Sequence, residues 1–85
     1  MELVLSPQAK NHIDFWNKTG NRQILNKIKK LIDSILESPY EGIGKPEQLK
    51  YELSGYWSRR INEEHRIVYK VENNTIYFIS FKGHY

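Results

Sequence analysis

Glu47, Arg66 and His84 are three side chains that between them can break a phosphodiester. Cleaving RNA by internal transesterification takes a base for the ribose 2′-hydroxyl proton, a cation for the charge on the phosphorane, and an acid for the departing 5′-oxygen. A carboxylate, a guanidinium and an imidazole supply these roles without a metal. Histidine, with an ordinary pKa near ~6.5, is the side chain best suited to hold and release a proton at neutral pH. His84 stands in the run Phe81-Lys82-Gly83-His84-Tyr85, directly behind an apolar, strand-like stretch. Each residue also has a plainer reading. Glu47 can be an exposed carboxylate ahead of a strand, Arg66 can pair with Glu63 or Glu64, and the His84-Tyr85 pair can simply cover the core at the end of a terminal strand.

Other chemistries find less support. With no cysteine there is no disulfide framework, thiolate nucleophile or thiolate metal site. The three histidines are far apart in sequence and lack a familiar spacing to a carboxylate, so no metal or other cofactor is expected. His65 reads as a turn residue hydrogen-bonded to backbone, and His12 as lying on an exposed part of a helix. No nucleophile-elbow motif supports Ser-His-Asp catalysis. Gly42-Ile43-Gly44-Lys45 contains glycine but lacks the context of a phosphate-cradling loop.

The elements that must position these residues are written in the periodicities. Residues 3 to 5 form a short apolar strand, and Ser6-Pro7 then offers an N-cap and a proline for the first helical position. Ala9, Ile13 and Trp16 recur at helical spacing, predicting a helix over residues 7–18 that Thr19-Gly20 stops. Ile24, Leu25, Ile28, Leu31, Ile32, Ile35 and Leu36 make one continuous stripe, predicting a helix over 22–37 ended by Ser38-Pro39. Its other side, with Lys27, Lys29, Lys30 and Asp33, is a solvated face.

After a glycine-containing loop the period changes to two. Leu49, Tyr51 and Leu53 alternate with polar residues, predicting a strand with one buried face. Ser54-Gly55 turns the chain into a strand over 56–61, followed by another over 66–72. Asn73-Asn74 tolerates positive φ and makes a tight hairpin turn into a last strand over 75–82. Strands joined by short turns pair antiparallel, and a strongly amphipathic helix needs an apolar sheet face to cover. The expected fold is α+β, with two N-terminal helices packed on one face of a twisted antiparallel sheet of four or five strands. The opposite, more polar face is left for chemistry.

Eighty-five residues suffice for one domain and one core. No stretch approaches the ~20 apolar residues of a membrane span and the first residues carry no basic leader, so a cytoplasmic, membrane-free protein is expected. Thirteen Lys and Arg against ten Asp and Glu give a net charge of +3, spread evenly along the chain, which favours a polyanionic partner only mildly. Arg59, Arg60 and Arg66 nevertheless cluster in a segment rich in aromatics.

Three ordered motifs carry a resemblance. They are Gly42-Ile43-Gly44-Lys45-Pro46-Glu47-Gln48-Leu49-Lys50, the run from Leu53-Ser54-Gly55-Tyr56-Trp57-Ser58-Arg59-Arg60 through Glu63-Glu64-His65-Arg66, and the final His84-Tyr85. Together they closely resemble the YoeB/Txe toxins of the RelE superfamily, over nearly the whole length. The resemblance implies a microbial-ribonuclease-like fold, ribosome-dependent cleavage of mRNA in the decoding A site, and inhibition by a cognate antitoxin of the YefM/Phd type. It implies Glu47 as general base, Arg66 as the stabiliser of transition-state charge, and His84 as general acid. Tyr85 would orient the substrate or stack on a base.

Lys50, Arg59, Arg60 and Lys82 are the phosphate-contact candidates, although alternation of strand faces forbids Arg59 and Arg60 from both facing the cleft. Homodimerisation is suggested by the resemblance alone. One departure stands out: Lys82-Gly83 occupies the place where such toxins often carry Arg-Tyr, and lysine lacks the bidentate fork. Two other functions compete with the nuclease. One is a non-catalytic basic binding module, a decayed toxin that still engages an antitoxin or the ribosome, and the other is a scaffolding domain.

Overall fold

A computed structural model of the chain describes residues 1–83. It opens with strand β1 (Glu2–Leu5) and turns at once into helix α1 (Pro7–Lys18). Ser6 is the cap: its Oγ accepts from the Ala9 amide at 3.0 Å, and Pro7 sits where a missing N–H costs nothing. Gly20, at φ +67°, then adopts the left-handed conformation that lets the chain reverse. Helix α2 (Arg22–Glu37) starts on Asn21, whose Oδ1 accepts from the Ile24 amide at 3.1 Å. Ile24, Ile28, Leu31 and Ile35 are its buried stripe. Both helices have the bounds their periodicities predict.

The remaining strands are β2 (Glu47–Gln48), β3 (Trp57–Arg60), β4 (Arg66–Glu72) and β5 (Thr75–Ser80). Among the described residues they form with β1 a five-stranded sheet in the order β1-β5-β4-β3-β2. Asn73 and Asn74, at φ 52° and 60°, make the tight turn between β4 and β5. Ile67, Tyr69, Ile76 and Phe78 face the helices and close one core with Ala9, Trp16, Leu31 and Phe81. Burying a side chain of this size stabilises the fold by roughly 1.5–3 kcal/mol, so the shared face of helices and sheet is what holds the domain together.

Two expectations are corrected. The sheet is mixed, because β1 runs parallel to β5 with Glu2 opposite Thr75 and Leu5 opposite Phe78. The hairpin argument governs only strands joined by short turns; the connection from β1 to β5 includes both helices and is free to bring them together in parallel. The strand built on Leu49, Tyr51 and Leu53 is also absent. Only Glu47 and Gln48 pair with β3, and residues Tyr51–Leu53 form a 3₁₀ turn. Tyr51 lies at φ +59° and is 89% exposed, so a left-handed residue breaks the ladder where alternation alone would have continued it.

Candidate active site

The β3 register builds the site. β3 pairs β2 on one side, with Glu47 opposite Ser58, and β4 on the other, with Arg60 opposite Arg66. Glu47 and Arg66 therefore reach each other over β3, and Arg66 Nη1 donates to Glu47 Oε1 at 3.1 Å. Arg66 takes Glu47 as its partner rather than Glu63 or Glu64. The carboxylate is well exposed, while the guanidinium is one-fifth exposed. Among the described residues Arg66 engages Glu47 through Nη1 alone.

Beside the pair, Lys45, Pro46, Glu47 and Arg60 line a depression of about 250 Å³. It shares Lys45 and Arg60 with a second hollow that extends to Lys27 on α2. Arg60 thus stands next to Glu47. Lys45 joins it as a cation that sequence reasoning missed; its position two residues before Glu47 was the available signal. Lys50 is exposed on extended backbone just past β2. Lys82 is turned elsewhere, with its ammonium 4.7 Å from the centre of the Phe15 ring on α1. Among the described residues nothing joins it to the Glu47–Arg66 pair.

Arg59 is a correction. One residue from Arg60 it points to the opposite face, is fully buried, and has no access to a phosphate from solution. Its Nε donates to the Tyr69 hydroxyl at 3.1 Å, Nη1 to Ser34 Oγ at 2.8 Å and the Ile43 carbonyl at 3.1 Å, and Nη2 to the carbonyls of Ser38 and Glu41 at 2.6 and 2.9 Å. All five N–H groups of a guanidinium are thereby used. Three of the acceptors are main-chain carbonyls of the loop that leads from α2 to Glu47, so this arginine holds in place the segment carrying the carboxylate.

The segment after β5 is held against α1 and against the start of β4. Trp16 Nε1 donates to the Phe81 carbonyl at 3.0 Å, and the Arg66 amide donates to the Gly83 carbonyl at 2.8 Å. His65 Nδ1 accepts from the Gly83 amide at 2.9 Å, the backbone role expected of it. His12 is half-buried rather than exposed, and its Nδ1 accepts from the Phe81 amide at 3.1 Å. Burial above all, and then the charges of Lys82 and His65, push the His12 pKa down from its ordinary value. Gly83 adopts φ +78°, a conformation that suits glycine and would strain any side-chain-bearing residue. His84 and Tyr85 lie outside the described residues.

Comparison with known proteins gives the family. Residues 5–85 match the family described as the YoeB-like toxin of bacterial type II toxin-antitoxin systems. The chain belongs to the YoeB-like toxin family. It is 44% identical to the Escherichia coli K12 protein named Toxin YoeB over 85 residues, which cover the whole of both chains. Among solved structures, a YoeB/ParE toxin from Agrobacterium tumefaciens superposes over the full length of both chains, with a TM-score of 0.95 and 39% identity. The YoeB of a heterotetrameric YoeB–YefM toxin–antitoxin complex from Staphylococcus aureus superposes with a TM-score of 0.88 and 44% identity, covering 100% of this chain and 98% of that one.

The YoeB-like fold thus accounts for the α+β architecture expected from the periodicities, with its sheet mixed rather than wholly antiparallel. As a YoeB-like toxin, the chain brings Glu47 and Arg66 into contact, sets Arg60 and Lys45 beside them, and buries Arg59 on the other face.

Proposed function

We propose that this YoeB-like toxin is a ribosome-dependent endoribonuclease that cuts mRNA in the decoding A site by acid–base transesterification. The observation that carries the reading is the Glu47–Arg66 contact at 3.1 Å on the sheet side away from the helices. A phosphodiester entering there competes for the guanidinium. The carboxylate, released from its partner, accepts the 2′-hydroxyl proton, and Arg66 moves onto the charge that develops on phosphorus. His84 gives a proton to the 5′-oxygen, and Tyr85 orients the nucleotide. Support for the last two roles is chain continuity, since Gly83, hydrogen-bonded to the Arg66 amide, is one peptide bond from His84. Arg60, Lys45 and Lys50 contact flanking phosphates as exposed cations on the same approach.

The partners that follow are a ribosome-bound message and a neutralising antitoxin of the YefM type in the cytoplasm. The likeness to the Staphylococcus aureus toxin solved with YefM supports the second. The test is to translate a defined message with the purified protein and map the ends. Cuts confined to ribosome-occupied codons, with 2′,3′-cyclic phosphate and 5′-hydroxyl ends, are expected. An uncut message at any protein concentration overturns the reading and leaves a module that binds without cleaving.

A further inference from the structure

The ladder of β5 ends at Ser80, yet the backbone of the next three residues stays hydrogen-bonded, to side chains of α1 and of His65 and to the first amide of β4. The Phe81 amide goes to His12 Nδ1 on α1, the Phe81 carbonyl to Trp16 Nε1 on α1, the Gly83 amide to His65 Nδ1, and the Gly83 carbonyl to the amide of Arg66. Ser80 Oγ ties in the Lys82 carbonyl at 2.9 Å. Two of these anchors are imidazoles, and in both the ring nitrogen is the acceptor. An imidazole accepts at Nδ1 only while that nitrogen is unprotonated; the proton of the neutral ring must then sit on Nε2.

We propose that His12 and His65 are positioning residues that clamp the segment leading into His84 and Tyr85 through their Nδ1 acceptors, and that protonating either ring releases its part of the clamp. Protonation turns each acceptor into a donor facing an amide N–H, so the bond is replaced by repulsion and a main-chain donor loses its partner. Among the described residues, the charged groups facing His12 are Lys82, after β5, and His65, from the loop before β4, and both disfavour its protonation. His65 has the Trp16 ring edge-on at 4.9 Å and Arg66 as its chain neighbour. The hold on the Phe81 and Gly83 amides is therefore weakened by acid.

The functional part of this inference rests on the nuclease reading, but the clamp does not, and the experiment separates them. In the full chain, amide hydrogen exchange of Phe81 and Gly83 is measured by NMR, as protection relative to intrinsic exchange, from about pH 8 to about pH 5 across the range in which histidine titrates. Asparagine is the diagnostic substitution: its Oδ1 falls near the Nδ1 position of histidine and accepts at every pH. Wild type is expected to lose protection at both amides, by roughly tenfold or more, as pH falls through the histidine range. His65→Asn keeps the Gly83 amide protected at the acid end, and His65→Ala leaves it unprotected throughout.

The same variants are then compared in the cleavage assay on translated message. His65→Ala lowers kcat with little change in KM, and His65→Asn restores it and extends activity further into acid than wild type. Protection at Gly83 that does not change with pH in wild type, or that survives His65→Ala, overturns the clamp. If the amides behave as expected but no variant and no wild type cuts RNA, the clamp stands and the nuclease reading fails.

Discussion

Arg59 and Tyr69 sit diagonally on adjacent strands, and the guanidinium Nε donates to the phenol at 3.1 Å while the phenol donates to the Pro39 carbonyl at 2.6 Å. Burial pushes the Tyr69 pKa up and the neighbouring guanidinium opposes it, so at neutral pH the phenol keeps the proton it donates. The pair fastens the first part of the route from α2 to Glu47: Tyr69 takes Pro39, and Arg59 takes Ser38, Glu41 and Ile43. A residue that by type looked like a phosphate contact acts instead as the internal brace of the loop that carries the candidate base.

Arg59→Ala is expected to be severely destabilising. It orphans buried acceptors whose desolvation costs ~1–3 kcal/mol each, so the loss should exceed about 3 kcal/mol. Arg59→Lys recovers only part of this, because an ammonium has three donors in a different geometry where the guanidinium uses five. Urea unfolding monitored by tryptophan fluorescence measures both. A stability change within about 0.5 kcal/mol of wild type, with reduced RNA affinity, would restore Arg59 to the substrate-contact role.

Gly42 is the tightest point of the same loop. A Cβ there would lie 2.5 Å from Ser34 Oγ and 3.0 Å from Arg59 Nη1, on a backbone at φ +127°. Gly55, at φ +93°, has open space around it. Gly55→Ala should therefore lose only the backbone term, about 1 kcal/mol, whereas Gly42→Ala should lose clearly more and also reduce activity by shifting the route to Glu47. Equal losses in thermal unfolding would contradict a clash with the Arg59 cluster.

Arg66→Lys separates chemistry from stability. The exposed ion pair with Glu47 contributes about 0–1 kcal/mol, so the melting temperature should hardly move. Cleavage should fall by at least ~10²-fold, since an ammonium cannot offer a planar fork to a phosphorane. Retained cleavage with a lowered melting temperature would make Arg66 a structural residue.

His12 gives the fold a pH dependence whose sign is fixed. Its pKa in the folded chain is lowered from 6.5, by burial first and then by Lys82 and His65. As pH falls, the unfolded chain takes up the proton earlier than the folded one, so the His12 contribution is complete above 6.5 and disappears as pH drops through the folded value. Chemical denaturation at pH values between about 7 and about 5 should show stability declining in wild type and declining less in His12→Asn. Identical slopes would mean that His12 is not titrating against the fold.

Much of this molecule is legible in its sequence because the signals are local. Ser6-Pro7, Thr19-Gly20 and the isoleucine-leucine stripe of α2 are capping and periodicity, and Asn73-Asn74 is turn chemistry; each is settled within a few residues. What was hidden depends on long-range placement. Alternation at Leu49, Tyr51 and Leu53 has the form of a strand, but the left-handed Tyr51 gives no sign of itself in residue type. Strand parity predicts that only one of Arg59 and Arg60 faces the cleft, yet which one depends on the β3 register against β2 and β4. His12 reads as a surface histidine until α1 is docked and its ring meets the Phe81 amide from the far end of the chain.

The most direct test of the account is the cleavage rate of a ribosome-bound message by Glu47→Gln beside wild type, with melting temperatures measured on the same samples. Glutamine can keep the contact with Arg66 but cannot take up the 2′-hydroxyl proton at neutral pH. The prediction is a folded, equally stable variant whose cleavage falls by about 10²–10⁴-fold, the range attributed to general acid–base catalysis. A Glu47→Gln protein that cuts at the wild-type rate contradicts the assignment of the carboxylate facing Arg66 as the base, and with it the proposed mechanism.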